Sequence, residues 1–137
     1  MANNTHHKRN QETTEMYLET ILLLEREKDG VHAVDIAKNL GFSKPTVSEY
    51  LKRLHHQGLL SVNTDSHVQL TEEGRRRAEG VYERHTVLSQ LFEQLGVTPE
   101  VAVEDACRIE HFISDETFGA LRNLTLERGA IGADSNR

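Results

Sequence analysis

The chain has 137 residues, of which 36% are hydrophobic, so it suffices for one compact domain or two small ones and is too short for a large enzyme. Its formal net charge of −6 argues at first against a nucleic-acid partner. The single cysteine excludes an internal disulfide framework and favours the cytoplasm, and without a long apolar stretch we expect no membrane partner.

The N-terminal half predicts three helices. The polar residues 1–11 predict a disordered arm, and Glu12 to Glu27 has the apolar spacing of an amphipathic first helix. Val31 to Leu40 predicts a second helix. After a glycine-containing turn, Ser43 is placed to cap a third helix, Lys44 to Leu54, with a proline in its first turn.

A hairpin and a long helix are predicted next. Residues 59–62 and 67–70 are short apolar runs around a polar tip, which is typical of a two-stranded hairpin. Thr71 is then placed to cap a helix that continues to about Leu95. Helix, turn, helix and hairpin in this order form the winged helix-turn-helix pattern, whose second helix enters the major groove of DNA. Small three-helix segments also occur as pure interaction modules.

The third helix carries groups that suit DNA. Its exposed face offers hydroxyl, ammonium and guanidinium groups to phosphates and base edges, and the hairpin is expected to add phosphate contacts. The candidate DNA-binding residues are Ser43, Lys44, Pro45, Thr46, Ser48, Glu49, Lys52 and Arg53.

The charge distribution agrees with this assignment. Residues 31–77 hold seven basic and five acidic residues, a net charge of +2, whereas residues 78–137 hold five and eleven, a net charge of −6. Only the local field at the contact face matters for binding phosphates, so an acidic chain can still bind DNA. An acidic C-terminal half is also what a domain that concentrates divalent cations would carry, although ordinary surface variation can produce the same difference.

Two helices are predicted after Pro99, the first reaching Ile113 and the second bearing apolar residues from Phe118 to Leu126. Together they hold more apolar surface than a 60-residue half can bury alone, which predicts a symmetric homodimer. The last residues, 129–137, lack periodicity and predict a frayed tail.

A possible metal site lies in the first of these helices. Cys107, Glu110 and His111 are spaced i, i+3 and i+4, which stacks them on one face of a helix. Thiolate, carboxylate and imidazole together resemble most of a transition-metal site. Taken alone the triplet is a weak signal, because buried cysteines and solvated Glu-His pairs are common.

Five motifs lie in order between about Thr13 and Leu124: Thr13–Leu18, Ser43–Ser48, Leu70–Gly74, Arg84–His85 and Asp105–Glu116. Together they resemble the diphtheria-toxin-repressor family of metal-activated transcriptional repressors, which has iron-sensing and manganese-sensing branches. The resemblance implies a mainly α-helical homodimer on double-stranded operator DNA, with a winged-helix domain (1–77) and a helical metal-binding and dimerisation domain (78–137). The length implies the short form, without the SH3-like domain of longer members.

The resemblance also implies a set of metal ligands. Met16, Cys107, Glu110 and His111 fall where the iron branch has its activating site. Glu19 and His85 fall where the manganese branch completes a second, adjacent ion, so each subunit is expected to hold one or two ions. An iron-type ancillary site is not expected, because Ser89 and Val103 stand at two of its ligand positions.

The soft ligands Met16 and Cys107 favour Fe(II), and Mn(II) is the alternative because Glu19 and His85 resemble the manganese branch. Two other classes stay open at this point. A metal-independent winged-helix regulator would use the same DNA-binding helix, with Cys107 merely packed. An enzyme with Cys107 as nucleophile and His111 as base is disfavoured, because both lie on one predicted helix without a recognisable oxyanion site.

Overall fold

The computed structural model describes the backbone of residues 2–135 and the side chains of residues 11–129. The chain divides into two compact units, Met1–Gly80 and Val81–Arg137. The division lies near the domain boundary expected after residue 77, and one helix continues through it, so no linker marks this point.

The N-terminal unit has the predicted winged helix-turn-helix architecture. Three helices precede a two-stranded antiparallel sheet, and a long helix begins after the sheet. The elements are α1 (Ala2–Glu27), α2 (Ala33–Leu40), α3 (Lys44–His56), β1 (Leu60–Val62), β2 (Val68–Leu70) and the first part of α4 (Glu72–Gln94).

Local signals explain how α2 and α3 are joined. Helix α2 ends at Gly41, which has a φ of 72° in the left-handed region, and the Gly41 N–H donates to the carbonyl of Ala37 at 2.9 Å. Ser43 then caps α3, since its Oγ accepts from the N–H of Thr46 at 3.4 Å. Pro45 lies in the first turn, where its missing N–H removes no helical hydrogen bond. This short connection presents α3 at the surface.

The core of the N-terminal unit lies beneath α3 and the hairpin. Its largest completely buried side chains include Leu18, Ile21, Ile36, Val47 and Leu54. In the hairpin Leu60 pairs with Leu70 and Val62 with Val68, and the N–H of Val68 donates to the carbonyl of Val31 at 2.7 Å. The hairpin is therefore anchored to the segment that enters α2.

Gly74, in the first turn of α4, lies against the carbonyl of Leu59. A Cβ at this position would lie 1.9 Å from that oxygen, which belongs to the backbone and accepts a hydrogen bond from the N–H of Thr71. We expect Gly74→Ala to lower the free energy of unfolding by about 1 to 3 kcal/mol or more, because the hairpin exit must shift. Denaturant unfolding measures this.

Gly80 provides the matched control on the same helix. It is exposed, and a Cβ there would meet nothing within 4 Å. Gly80→Ala is expected to raise the free energy of unfolding by roughly 0.5 to 1 kcal/mol through helix propensity. Equal effects of the two substitutions would show that the contact at Gly74 is not tight in solution.

The C-terminal unit contains the rest of α4, then α5 (Pro99–Ile109) and α6 (Asp115–Ser135). The prediction that α5 continues to Ile113 is wrong. The guanidinium of Arg84 donates to the carbonyls of Glu110 and Ile113, and Ser114 begins a new cap by accepting from the N–H of Thr117. These contacts replace the hydrogen bonds that would extend the helix.

Two further boundaries differ from the predictions. Helix α1 begins at Ala2 rather than Glu12, so residues 2–11 of the expected arm (1–11) have a helical backbone, and α6 includes residues 129–135 of the expected frayed tail (129–137). Once nucleated, a helix gains one hydrogen bond per added residue and needs no apolar periodicity. The side chains of residues 1–10 and 130–137 lie outside the described part. None of the helices, over the described residues, is long and apolar enough to cross a bilayer.

Candidate metal centre and nucleic-acid interface

Three possible metal ligands converge in the C-terminal unit. His85 comes from α4, Cys107 from the last turn of α5, and Glu110 from the residue that follows α5. Within the described part of the chain, these three form a cluster whose donor atoms all lie within 4.8 Å of one another. The Nδ1 of His85 lies 3.0 Å from Oε2 of Glu110 and 3.5 Å from Sγ of Cys107.

The two separations from His85, 3.0 and 3.5 Å, fit ligands of a single cation. Donor atoms held about 2.0 to 2.3 Å from one ion lie roughly 3 to 3.7 Å apart at tetrahedral or octahedral angles. One imidazole, one thiolate and one carboxylate form a donor set of mixed softness that suits first-row transition metals. The residues present therefore fit a bound divalent metal.

Glu110 is the most deeply buried member of the group, with its side chain 3% exposed. Its second oxygen, Oε1, lies 3.3 Å from Nε2 of His111. A buried carboxylate is stable only when its oxygens have partners, and Glu110 has one imidazole on each oxygen. Glu110 would therefore offer a divalent metal either of its two carboxylate oxygens.

The predicted triplet Cys107, Glu110 and His111 does not lie on one helical face, although the spacing indicates that it does. Because α5 ends at Ile109, His111 lies in the turn beyond the helix and not on a common helical face with Cys107. Among the described residues, the group built around Cys107 contains His85 instead of His111. Helix α4 thus contributes directly to the cluster, which a spacing argument confined to residues 104–111 could not reveal.

Met16 and Glu19 lie on α1 in the N-terminal unit and are half-buried. One carboxylate oxygen of Glu19 is fully buried. Their assignment as ligands stays a prediction. Ser89 is buried, and its hydroxyl donates to the carbonyl of His85 at 2.7 Å, while Val103 is exposed.

Sequence reasoning missed Arg84, which precedes His85 on α4. The Arg84–His85 motif gives a role to the histidine alone, although a basic residue next to a candidate ligand is itself a signal. The carbonyls that Arg84 contacts belong to residues 26 and more positions away in the sequence. These contacts could not be inferred from local spacing.

The candidate DNA-binding face is exposed along α3. The helix buries Val47, Leu51 and Leu54 and leaves the opposite face open to solvent. All eight candidate residues are exposed: Ser43, Lys44, Pro45, Thr46, Ser48, Glu49, Lys52 and Arg53. Lys52 lies 3.8 Å from Glu49, and both side chains are highly exposed, so this ion pair leaves the ammonium accessible.

Helix α3 is tied to α1 through Tyr50. The hydroxyl of Tyr50 forms a 2.8 Å hydrogen bond with that of Thr14, and its ring stacks on Tyr17 with centroids 4.5 Å apart. The guanidinium of Arg53 also lies over the Tyr50 ring, 5.4 Å from its centroid. The helix that carries Met16 therefore directly contacts the candidate recognition helix.

The hairpin tip is a tight polar turn. The Oδ1 of Asn63 accepts from the N–H groups of Asp65 and His67, both at 2.9 Å. Residues 60–70 contain neither lysine nor arginine. Contacts of this wing with phosphate would therefore come from hydroxyl, amide, imidazole and backbone N–H groups, and the lysine and arginine side chains of the candidate face lie on α3.

Two family models cover most of the chain. Residues 11–68 match the N-terminal DNA-binding domain of the iron-dependent repressors, and residues 71–127 match their metal-binding and dimerisation domain. The chain is 42% identical over 114 residues to the transcriptional regulator MntR of Escherichia coli O6:H1, covering 83% of this chain and 74% of that protein. It is 41% identical to the iron-dependent repressor IdeR of Mycobacterium tuberculosis, covering 77% of this chain and 46% of that protein.

Solved structures agree with these matches. A manganese-dependent transcriptional repressor in complex with manganese matches with a TM-score of 0.75 and 28% identity, over 82% of this chain and 52% of that one. The IdeR of T. acidophilum matches with a TM-score of 0.70 and 26% identity, over 85% of this chain and 53% of that one. The chain thus spans about half the length of these repressors.

Proposed function

Because the chain belongs to the family of iron-dependent transcriptional repressors, we propose that it represses genes of metal homeostasis as an Fe(II)-loaded homodimer on double-stranded operator DNA. The DNA-binding part is assigned to residues 1–77 and the metal-binding part to residues 78–137. The observation that carries the proposal is the cluster of His85, Cys107 and Glu110 in a chain that also exposes a polar recognition helix.

The proposed ligands are His85, Cys107, Glu110 and His111, with Met16 and Glu19 from α1. The distances between His85, Cys107 and Glu110 support the first three, and the contact of His111 with the second oxygen of Glu110 supports a neighbouring position. Met16 and Glu19 are assigned from the resemblance. Fe(II) is favoured by the thiolate of Cys107 and the thioether of Met16, while the match to a manganese-dependent repressor makes Mn(II) the alternative.

The mechanism is a shift between conformations. Cys107 on α5 and, by the resemblance, Met16 on α1 would hold the cation, which would supply positive charge at the site. Ligands on both helices would then restrict the position of α1. Since Tyr50 ties α1 to α3, the restriction reaches the recognition helix. DNA binds best to the conformation in which the two recognition helices of the dimer match the spacing of successive major grooves.

The apolar surface of the C-terminal unit supports a homodimer. Five large hydrophobic side chains on α5, α6 and the turn between them are more than 40% exposed. They are Val101, Val103, Phe112, Leu124 and Leu126. A self-complementary contact between two copies would remove this surface from water, and a dimer places two recognition helices on a two-fold-related operator.

The experiment that tests the proposal is selection of DNA duplexes from a random library, carried out anaerobically with Fe(II), with Mn(II) and with a chelator. The proposal predicts enrichment of one two-fold-related sequence in the presence of metal and no enrichment with the chelator. The same enrichment with the chelator would contradict it and favour a metal-independent winged-helix regulator.

Basic residues on α3 give a second test on the selected duplex. Lys52→Ala and Arg53→Ala are each expected to weaken binding to all sequences and to lower the salt slope by about one for each phosphate that the protein no longer neutralises. Ser43→Ala and Thr46→Ala are expected to change sequence preference instead. Fluorescence anisotropy at several salt concentrations measures both effects.

Arg128→Ala is the matched control, because it removes one exposed positive charge from α6 in the C-terminal unit. It is expected to leave the salt slope unchanged. Unaltered binding and sequence preference in all four α3 variants would rule out α3 as the recognition helix.

A further inference from the structure

Arg84 lies beside the candidate metal centre without belonging to its proposed ligands. Its Nη1 donates to the carbonyl of Glu110 at 3.2 Å and to that of Ile113 at 2.7 Å. Its Nη2 pairs with Asp115 at the start of α6. The guanidinium also lies over the ring of Phe118, 5.2 Å from the centroid. One side chain therefore contacts two carbonyls of the turn that joins α5 to α6 and the first turn of α6.

Two neighbouring residues of α4 contact Glu110, one at its main chain and the other at its side chain. Arg84 binds its main-chain carbonyl, and His85 contacts its carboxylate at 3.0 Å. The backbone of Glu110 lies where α5 has ended, so its carbonyl is one of those that a helix end leaves without a partner from the next turn. The guanidinium takes the place of the missing donor.

We propose that Arg84 is a positioning residue of the metal centre, which fixes the turn that carries Glu110 and His111 so that their donor atoms meet the cation. The inference rests on the proposed metal site and deepens it. Arg84 binds no metal itself, but it contributes to the metal affinity and the geometry of the site. Hydrogen-bonded neighbours of metal ligands have this role elsewhere.

The two carbonyl contacts carry this role, and the ion pair with Asp115 does not. The side chain of Asp115 is 98% exposed, so its attraction for Arg84 is screened by water. The carbonyl contacts are shielded, since the Arg84 side chain is only 20% exposed. A planar guanidinium reaches both carbonyls and the carboxylate at once, and a lysine ammonium cannot reproduce that fork.

The test uses Co(II) as the probe, because a thiolate-bound Co(II) gives a charge-transfer band and ligand-field bands that report the geometry of the site. Arg84→Met is expected to weaken Co(II) binding by about 10- to 100-fold and to alter the ligand-field bands. Arg84→Lys is expected to show an intermediate loss. Asp115→Asn is expected to stay within about twofold of the wild type, since exposed ion pairs contribute little.

Arg122→Met is the matched control. Arg122 also lies over Phe118, 5.9 Å from the ring centroid, and it pairs with Glu83 on α4 instead of with the carbonyls of the α5–α6 turn. It is expected to keep the wild-type affinity and spectrum, so an equal loss in Arg122→Met and Arg84→Met would overturn the proposal by indicating general loosening around Phe118.

Helical content measured by circular dichroism identifies the folded variants. If Arg84→Met does not fold, the Co(II) affinity and spectrum of Arg84→Lys alone test the proposal. A folded Arg84 variant with wild-type Co(II) affinity and an unchanged spectrum overturns the positioning role. A wild-type protein that gives no thiolate-to-Co(II) band would instead overturn the proposed metal site itself. The two failures are therefore distinct.

Discussion

Cys107→Ala is expected to abolish metal-activated DNA binding while the protein keeps its fold and its dimeric state. Cys107 is exposed at the end of α5, so its truncation should change the free energy of unfolding by no more than about 0.5 kcal/mol. Its sulfur, however, lies 3.5 Å from Nδ1 of His85 and is the sulfur donor of the cluster that it forms with His85 and Glu110. We expect metal affinity to fall at least about 100-fold, since loss of a ligand exceeds changes to its neighbours.

Metal titration followed by operator binding measures this effect, with Arg108→Ala as the control. Arg108 follows Cys107 on α5, and its guanidinium pairs with Glu104 and Asp105 of the same helix. The control is expected to respond to metal as the wild type does. A Cys107→Ala protein with a full metal response would mean that the thiol only packs.

The second large effect concerns the choice of metal. The double substitution Met16→Asp with Cys107→Glu replaces two soft sulfur donors by carboxylates, which Mn(II) prefers. We expect the ratio of Mn(II) to Fe(II) needed for half-maximal operator binding to fall by at least about tenfold, because Mn(II) gains oxygen ligands while Fe(II) loses sulfur ligands. Anaerobic titrations with buffered free metal measure this ratio.

The single substitution Met16→Asp shows how much of the effect comes from position 16. It is expected to lower the ratio of Mn(II) to Fe(II) by a smaller factor than the double substitution does. The unaltered protein offers a further check on metal selection by soft ligands. If it binds its operator equally well at equal free Fe(II) and Mn(II), the sulfur donors do not select the metal and the manganese assignment replaces the iron one.

Local signals made the N-terminal unit predictable. The cap at Ser43, the glycine before it and the two short apolar runs around the polar tip of the hairpin depend on neighbouring residues, so the sequence pattern indicates them directly. The start of α4 is also set by a local contact, since the hydroxyl of Thr71 accepts from the N–H of Gly74 at 3.2 Å.

Contacts between distant residues limited the prediction of the site. The pairing of Cys107 with His85 joins residues 22 positions apart, and Arg84 ends α5 from 26 positions away. Periodicity describes one helix at a time, so it places Cys107 and His111 together and cannot indicate that α4 reaches the same cluster. The resemblance points to His85 as a ligand, but the contact of His85 with Cys107 requires the three-dimensional arrangement.

The most direct test of coupling between metal and DNA measures metal affinity twice, once for the free protein and once for the protein bound to its selected duplex. If metal and operator favour the same conformation, DNA must raise metal affinity by the factor by which metal raises DNA affinity, typically about 5- to 150-fold. We expect equal factors well above one. A metal affinity that is unchanged by saturating DNA would contradict the coupling, because the cluster of His85, Cys107 and Glu110 would then be unconnected to DNA binding.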